Sequence, residues 1–188
     1  MVVLITGASH TGKTLLAQRM LERYHMPCLS VDHLKMGLIR SGQTDLTPED
    51  DEELTEYLWP IVREMIKTAI ENRQNLIVEG CYVPFDWRKD FDDRYLPSIC
   101  FYCLAMTDRF IDACFDEIRR YSSVIEARQD DSYCTAENLK RDNRNYIAGF
   151  QKSGEPVTLI DTDYVGTIES LLNRSLSMDG ANQQLYGS

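Results

Sequence analysis

The feature that most restricts the fold of this chain is the stretch LITGASHTGKTLLAQRM at positions 4–20. It begins with an apolar run typical of a strand, breaks at Gly7 and resumes after Gly12 with apolar residues at helical spacing. A strand that passes through a glycine-containing turn directly into a helix explains this order of residues. The stretch therefore predicts the opening unit of a fold in which strands and helices alternate.

The turn fits the pattern G-x-x-x-x-G-K-[ST] at every specified position. Its residues are Gly7, Ala8, Ser9, His10, Thr11, Gly12, Lys13 and Thr14. The glycines let the backbone approach a phosphate closely, while successive N–H groups and the positive end of the next helix attract the anion. The pattern predicts a nucleotide-phosphate site, and an ordinary glycine-rich turn is the alternative.

Two side chains of this loop have specific predicted roles. In loops of this type the lysine reaches the β- and γ-phosphates of the nucleotide, and the hydroxyl after it binds Mg²⁺. These are the roles expected for Lys13 and Thr14, with ATP and Mg²⁺ as the ligands. The side chain of His10 occupies a position that varies freely in the pattern, so no catalytic role is predicted for it.

The rest of the chain continues the alternation of strands and amphipathic helices. Apolar runs that predict strands lie at 2–6, 27–32, 75–80, 98–106 and 157–162. They favour an α/β fold with a five-stranded parallel sheet, doubly wound and covered by helices on both faces. At 188 residues the chain is predicted to form a single domain over 1–178, followed by a flexible tail at 179–188. Ligands of such sheets bind beyond the carboxyl ends of the strands.

Local signals give more detailed expectations for the helices. Thr47 followed by Pro48 predicts a helix start with the threonine as N-cap. Pro60 interrupts the apolar pattern that follows, which predicts a kink or two successive helices. Either residue of the pair 107–108 is expected to cap the helix after the fourth strand, and Thr135 is expected to start the next one.

Composition limits the classes of partner. The net charge is −10, and an acidic surface repels nucleic-acid phosphates, so no DNA or RNA partner is expected. No apolar run approaches the roughly 20 residues that span a bilayer, and the start of the chain lacks a secretory signal pattern. We therefore expect a cytoplasmic protein without a membrane partner. Cys100 and Cys103 form a C-x-x-C pair inside an apolar strand, which favours buried thiols over a zinc site.

Two carboxylates fall at the predicted carboxyl edge of the sheet. Asp32 follows the second strand, where it could accept the proton of an attacking hydroxyl; the alternative is a helix N-cap. Glu79 ends the third strand and would point toward the Mg²⁺ water shell or the acceptor; the alternative is a salt bridge at a strand end. Gly80 is expected to keep the floor of this crevice open.

Cations are needed to balance the charge on a transferred phosphoryl group. The candidates after the fourth strand are Arg119, Arg120, Arg128, Arg141 and Arg144. A short helical lid at roughly 119–135 would close over the phosphates and exclude water, with Arg120 and Arg128 as the first candidates for catalysis. Lys35 and Arg40, which follow Asp32 along the chain, are candidates for holding an anionic acceptor.

Three classes of nucleotide-binding protein fit such a loop. A GTP-dependent switch needs an N-K-x-D motif, which the sequence lacks. The sequence contains a D-x-x-G run at 163–166, but this run follows the last predicted strand, which is the wrong place for a switch. An ATPase of a larger machine usually has a strand that ends in an Asp-Glu pair, which is not evident. The pattern favours a small-molecule kinase, and the alternative is an ATP-binding regulatory protein or ATPase without kinase activity.

Four segments together resemble the P-loop small-molecule kinases, a group that includes nucleoside-monophosphate, shikimate and gluconate kinases. They are the loop at 7–14, VDHLKMGLIR at 31–40, IVEGCYVP at 77–84 and the arginine-bearing segment at 119–128. The D-x-L-K-x-x-L-I-R and E-G-x-x-x-P runs are most similar to proteins labelled 2-phosphoglycerate kinase. The resemblance implies an ATP·Mg²⁺ donor, an acceptor site between Asp32 and Glu79, and a mobile arginine lid. It leaves the acceptor and the oligomeric state open.

Overall fold

Strands and helices alternate in the computed structural model, which describes residues 1–121 and 134–183. The strands are β1 (Val2–Gly7), β2 (Cys28–Ser30), β3 (Leu76–Glu79), β4 (Ile99–Met106) and β5 (Thr158–Ile160). The helices are α1 (Lys13–Tyr24), α2 (Val31–Arg40), α3 (Asp51–Glu71), α4 (Asp108–Tyr121), α5 (Ala136–Lys152) and α6 (Tyr164–Gln183). Short 3₁₀ turns at Trp87–Asp90 and Leu96–Ser98 lead from β3 to β4.

The five strands form one parallel sheet in the order β2-β3-β1-β4-β5. This confirms the predicted five-stranded α/β architecture. The central strand β1 is buried along its whole length, because helices cover both faces of the sheet. β1 pairs with β3 on one side, where Ile5 lies opposite Glu79, and with β4 on the other side, where Gly7 lies opposite Leu104.

Alternate residues of β1 belong to two hydrophobic cores, as the two-residue period of a strand requires. Val3 and Ile5 pack in the first core with residues of α1, α4 and α6. Val2 and Leu4 pack in the second core with α3, Trp87 and Phe150 of α5. The sheet therefore separates two apolar layers and holds its central strand rigidly between them.

The start of α3 differs from the prediction. The N-cap of this helix is Asp50, and Thr47 lies in the preceding turn, where Asp50 N donates to Thr47 O at 3.1 Å. The Asp50 carboxylate accepts hydrogen bonds from Thr47 N at 2.7 Å and Thr47 Oγ1 at 3.0 Å. Pro48 occupies the second position of this turn, where its fixed φ is equally favourable. The predicted Thr47 cap is wrong because a tight turn competes for the same residues.

One continuous helix, α3, runs through Pro60. The alternative of two successive helices is therefore wrong. Proline removes one backbone donor from a helix, but the ring of Pro60 lies on the exposed side. Leu58, Trp59 and Val62 are buried on the other side, so packing against the sheet holds the helix together across the proline.

The other helix boundaries follow the sequence signals more closely. Of the two candidates at the start of α4, Thr107 forms the cap: its Oγ1 accepts from Phe110 N at 3.1 Å. Thr135 caps α5 as predicted, with its side chain accepting from Asn138 N at 3.2 Å. The last helix α6 continues to Gln183, past the point where the tail is predicted to begin, since no proline interrupts it. None of the helices in the described part of the chain is long and apolar enough to cross a membrane.

The thiols of the C-x-x-C pair are expected to be chemically inert. Cys100 and Cys103 are buried in β4, and burial raises the pKa of Cys103 to about 12. Roughly one thiol in ten thousand is then ionised at pH 8, and only the thiolate is reactive. We expect iodoacetamide at pH 8 to leave Cys103 unmodified in the native protein and to alkylate it in denaturant, as read by peptide mass spectrometry. The half-buried Cys114 of α4 is the internal comparison, and rapid native labelling of Cys103 would contradict its burial.

Within the two described ranges of the chain, no cluster of three or more His, Cys, Asp or Glu side chains suits a metal ion.

Candidate functional site

The carboxyl ends of the parallel strands meet at one edge of the sheet, and the glycine-containing loop lies at the centre of that edge. β1 ends at Gly7 between its neighbours β3 and β4. Glu79 ends β3 on one side of the loop, and α2 starts directly after β2 on the same side. This arrangement brings the sequence-predicted loop, Asp32 and Glu79 to the same end of the sheet.

Both glycines of the loop are required by its geometry. Gly7 has a φ of +144°, and a Cβ at this position would lie 2.1 Å from the carbonyl oxygen of Leu104. Gly12 has a φ of +87° and forms the N-cap of α1 in the left-handed conformation. His10 adopts a positive φ of 66° as well. The loop therefore turns sharply against β4, in a conformation that side chains at the two glycines would prevent.

Two side chains of the loop form hydrogen bonds within it. Thr11 Oγ1 and Lys13 Nζ each donate to the carbonyl oxygen of Ala8 at 2.8 Å. The Lys13 side chain is almost fully buried, with 7% of the residue exposed. Lys13 thus lies over the loop that it is predicted to serve. The first turn of α1 contains no acidic residue, so no carboxylate there competes with an anion for the positive helix end.

Thr14 connects the loop to β3. Its Oγ1 donates to Glu79 Oε2 at 3.3 Å, and Glu79 is buried, with 1% exposed. A hydroxyl and a carboxylate oxygen are ligands or water-shell partners that suit Mg²⁺, a hard cation. Gly80 follows, and a Cβ there would lie 2.8 Å from the Cβ of Val31. This glycine therefore lets α2 pack closely against β3, and Val31 occupies the space beside it.

Asp32 lies in the first turn of α2, whose N-cap is Ser30. The Asp32 carboxylate is not the cap; its Oδ1 pairs with Lys35 Nζ at 2.9 Å. Lys35 Nζ also donates to Tyr82 Oη at 2.8 Å, and Tyr82 Oη donates to Asp51 Oδ1 at 3.2 Å. A chain of hydrogen bonds therefore runs from α2 through the segment after β3 to the first residue of α3.

Burial raises the pKa of two members of this chain, Tyr82 and Asp51. Burial, followed by the nearby charges of Cys81, Asp32 and Asp51, raises the pKa of Tyr82 far above its ordinary value, so the phenol keeps its proton. Burial also raises the pKa of Asp51, against the lowering effects of the Tyr82 hydrogen bond and the Lys35 charge. The Tyr82 hydroxyl therefore always carries a proton that it can donate to Asp51, while its oxygen accepts from Lys35.

The structure separates the two cations predicted for an anionic acceptor. Lys35 is paired with Asp32 beside the loop, and 12% of its side chain is exposed. Arg40 is exposed in the last turn of α2. Eight residues of helix correspond to about 12 Å of axial rise, so Arg40 lies at the opposite end of α2 from Asp32.

The comparison with known protein families identifies this fold. A family profile described as "AAA domain" matches residues 2–105, which is more than half of the chain and includes the loop, Asp32 and Glu79. The chain belongs to the AAA-domain family. No curated protein sequence matches it.

Several solved structures share the fold of this AAA-domain protein. A gluconokinase from Sinorhizobium meliloti 1021 is 11% identical, with a TM-score of 0.52 and 98% of this chain and 95% of that chain covered. A deoxyadenosine kinase from M. mycoides is 15% identical, with a TM-score of 0.54 and 94% and 100% covered. A shikimate kinase from Aquifex aeolicus vf5 is 14% identical, with a TM-score of 0.50 and 100% of both chains covered.

These likenesses confirm the fold that the resemblance to P-loop small-molecule kinases implied. The narrower resemblance to 2-phosphoglycerate kinases stays a prediction.

The arginines of the AAA-domain protein lie in different surroundings. Arg120 is exposed in the last turn of α4. Arg144 forms an ion pair with Asp108, and Arg141 Nε lies 3.7 Å from Asp142 Oδ1. Arg128 and most of the predicted lid at 119–135 lie outside the described residues. The pairing of Arg144 ties α5 to α4, which is a structural role.

Sequence reasoning missed part of this site. No role is predicted above for Asp51 or Tyr82, which the structure joins by the hydrogen bond from Tyr82 Oη to Asp51 Oδ1. None is predicted for Tyr146 of α5 either, whose hydroxyl donates to the carbonyl oxygen of Cys81 at 2.8 Å. Burial raises the pKa of Tyr146 well above its ordinary value, so it too stays a donor. The position of Tyr82, shortly after the end of β3, was the signal available.

Proposed function

We propose that this AAA-domain protein is a cytoplasmic phosphotransferase that moves the γ-phosphoryl group of ATP, in the presence of Mg²⁺, to a small metabolite with a hydroxyl or phosphate acceptor. The observation that carries the proposal is the hydrogen bond between Thr14 Oγ1 and Glu79 Oε2. It joins the phosphate-binding loop to the end of β3, beside the start of α2 where Asp32 lies. A donor site and a carboxylate for the acceptor thereby share one sheet edge.

The donor is held by the loop at 7–14 and by Lys13. The backbone N–H groups of the loop and the positive end of α1 bind the phosphates. The Lys13 ammonium exchanges its hydrogen bond to Ala8 O for the β- and γ-phosphates. Thr14 and Glu79 would hold Mg²⁺, which would neutralise part of the negative charge on the phosphates.

Asp32 is the proposed base. Its carboxylate is held by Lys35 at 2.9 Å and about a third of the side chain is exposed, so it can reach an acceptor. It accepts the proton of the acceptor hydroxyl as the oxygen forms a bond to the γ-phosphorus and the bond from that phosphorus to ADP breaks. Glu79 and Gly80 form the floor beside it. Lys35, with Arg40 farther along α2, contributes positive charge for an acceptor that carries an anionic group.

The proposed lid supplies the remaining positive charge. Arg120 at the end of α4 and Arg128 in the following segment are the residues proposed to neutralise the phosphoryl group during transfer. Closure of the segment 119–135 would exclude water from the site, which limits hydrolysis of ATP.

The proposal predicts ATP turnover that depends on an acceptor. Purified protein with ATP and Mg²⁺ is mixed with a panel of sugars, sugar acids, nucleosides and nucleoside monophosphates, and ADP release is followed alongside mass spectrometry of the acceptor. We expect one class of acceptor to gain a phosphoryl group and to raise ADP release at least about tenfold above the rate with water. ADP release that no acceptor raises would instead indicate an ATPase, and nucleotide binding without turnover would indicate a regulatory protein.

A further inference from the structure

A tyrosine from the far end of the chain contacts the phosphate-binding loop. Tyr164, the first residue of α6, is half-buried, and its hydroxyl oxygen occupies the space beside Gly12. A Cβ at Gly12 would lie 1.9 Å from that oxygen and 2.9 Å from the ring carbon that carries it. The phenol group is therefore in direct contact with the residue whose left-handed conformation begins α1.

The D-x-x-G run at 163–166 holds this tyrosine in place. Asp163 Oδ1 accepts from Gly166 N at 2.8 Å, and the Asp163 carbonyl oxygen accepts from Thr167 N at 3.1 Å and Thr167 Oγ1 at 2.6 Å. A Cβ at Gly166 would lie 2.1 Å from Asp163 Oδ2, which explains the glycine. The run is a helix-capping turn that sets the direction in which Tyr164 enters α6.

Further contacts anchor α6 to the helix that follows the loop. Arg19 Nη1 pairs with Glu169 Oε1 at 2.6 Å, and Tyr24 Oη donates to the carbonyl oxygen of Leu172 at 2.6 Å. Burial raises the pKa of Tyr164, and the Arg19 charge acts in the opposite direction. These contacts between α1 and α6 keep the backbone of Tyr164 beside the loop.

The strand before α6 is anchored as well. Asp161, directly after β5, accepts from Thr107 Oγ1 at 2.8 Å and from Arg109 Nη2 at 2.7 Å. The segment that carries Tyr164 is therefore fixed on both sides.

We infer that Tyr164 is a positioning residue of the nucleotide site, which keeps the phosphate-binding loop in its binding conformation before ATP arrives. The inference rests on the proposed nucleotide binding by the same loop. Glycine loses more conformational freedom than any other residue when it is fixed. The contact with Tyr164 restrains Gly12 in advance, so less of the binding free energy is lost in ordering the loop.

A contact that restrains Gly12 stabilises the ATP complex and the transition state equally. Its loss should therefore raise the dissociation constant and KM for ATP and leave kcat unchanged. A merely structural tyrosine would instead affect thermal stability without a selective effect on ATP affinity.

The test compares Tyr164→Ala with Tyr24→Ala, since Tyr24 also joins α1 to α6 but lies at the other end of α1 from the loop. The dissociation constant for ATP is measured by calorimetry, and folding is checked by thermal unfolding. The values of kcat and KM are measured by ADP release with the acceptor found in the panel. We expect Tyr164→Ala to weaken ATP binding about tenfold, with kcat within twofold of wild type. Tyr24→Ala should lower the unfolding temperature and leave ATP affinity unchanged. Tyr164→Phe, which removes the hydroxyl oxygen but keeps the ring beside Gly12, should weaken ATP binding less than Tyr164→Ala does.

Three outcomes would overturn the inference. A folded Tyr164→Ala protein with wild-type ATP affinity would remove the positioning role while the proposed function stands. An equal loss of affinity in Tyr24→Ala would show that the whole interface between α1 and α6 is responsible. If the wild type itself binds no ATP, the proposed function and the inference both fail. Should Tyr164→Ala not fold, Tyr164→Leu is judged on the same criteria, because leucine keeps an apolar group in the half-buried position.

Discussion

Replacement of Lys13 by alanine is expected to lower kcat/KM for acceptor-dependent ATP turnover by about a thousandfold or more. Lys13 is buried against the loop, and its Nζ is held by the carbonyl oxygen of Ala8 at 2.8 Å. Lys13 is the only lysine or arginine in the loop at 7–14. Alanine would remove the charge that follows the γ-phosphoryl group during transfer, so the loss should appear in kcat as well as in ATP affinity.

Lys89→Ala is the matched control for this experiment. Lys89 is exposed, pairs with Asp86 and lies in the 3₁₀ turn between β3 and β4. The Lys89→Ala substitution removes a side chain of the same type at the surface, where an ion pair contributes little to stability. We therefore expect wild-type kinetics. Both variants are measured by ADP release, with folding checked by circular dichroism. Full activity in a folded Lys13→Ala protein would contradict the phosphate-binding role of the loop.

Replacement of Asp32 by asparagine is expected to lower kcat by 10²–10⁴-fold, the usual contribution of a general base. Asparagine keeps the size of the side chain but cannot take the proton of the acceptor. Asp32 is not the N-cap of α2, so the helix start at Ser30 should remain. ATP affinity should also remain, because the donor is held by the loop and not by α2. Single-turnover measurements with saturating ATP separate this effect from nucleotide binding.

The control for Asp32 is Asp92→Asn, an exposed aspartate bonded to Arg94. Its kinetics should equal those of the wild type.

The Lys35→Met substitution tests whether Lys35 holds the proposed base in place, since the Lys35 ammonium lies 2.9 Å from Asp32 Oδ1 and 2.8 Å from Tyr82 Oη. It should lower kcat less than Asp32→Asn does. Normal turnover in Asp32→Asn would show that another group takes the proton.

The fold could be predicted from sequence because its signals are local. Apolar runs of strand length alternate with helical periodicity, and the loop at 7–14 fits a pattern with four specified positions. The pair 107–108 contains the cap of α4 and Thr135 starts α5, as predicted, because each threonine hydroxyl accepts a hydrogen bond from the first turn of the helix that follows it. Each of these features depends on residues a few positions apart.

The error at Thr47 arises where two local patterns compete, and the other errors and omissions involve contacts that local patterns do not contain. Thr47 looks like a cap until Asp50 turns back and accepts both of its donors. Pro60 looks like a break until buried neighbours on α3 hold the helix against the sheet. The chain from Lys35 through Tyr82 to Asp51 joins three elements of the fold, and the contact between Tyr164 and Gly12 joins the two ends of the domain. Only the folded packing brings such groups together.

The central position of β1 has a consequence for the chain as it leaves the ribosome. Residues 2–7 are synthesised before the strands that flank them, β3 and β4, which come much later in the chain. β1 can therefore pair with β3 only after residues 76–79 have emerged, and fully with β4 only after residue 104, which lies opposite Gly7, has emerged. Pairings of such high sequence separation are slow to form, so the sheet can assemble around its central strand only after the strands that follow it in the chain have been synthesised.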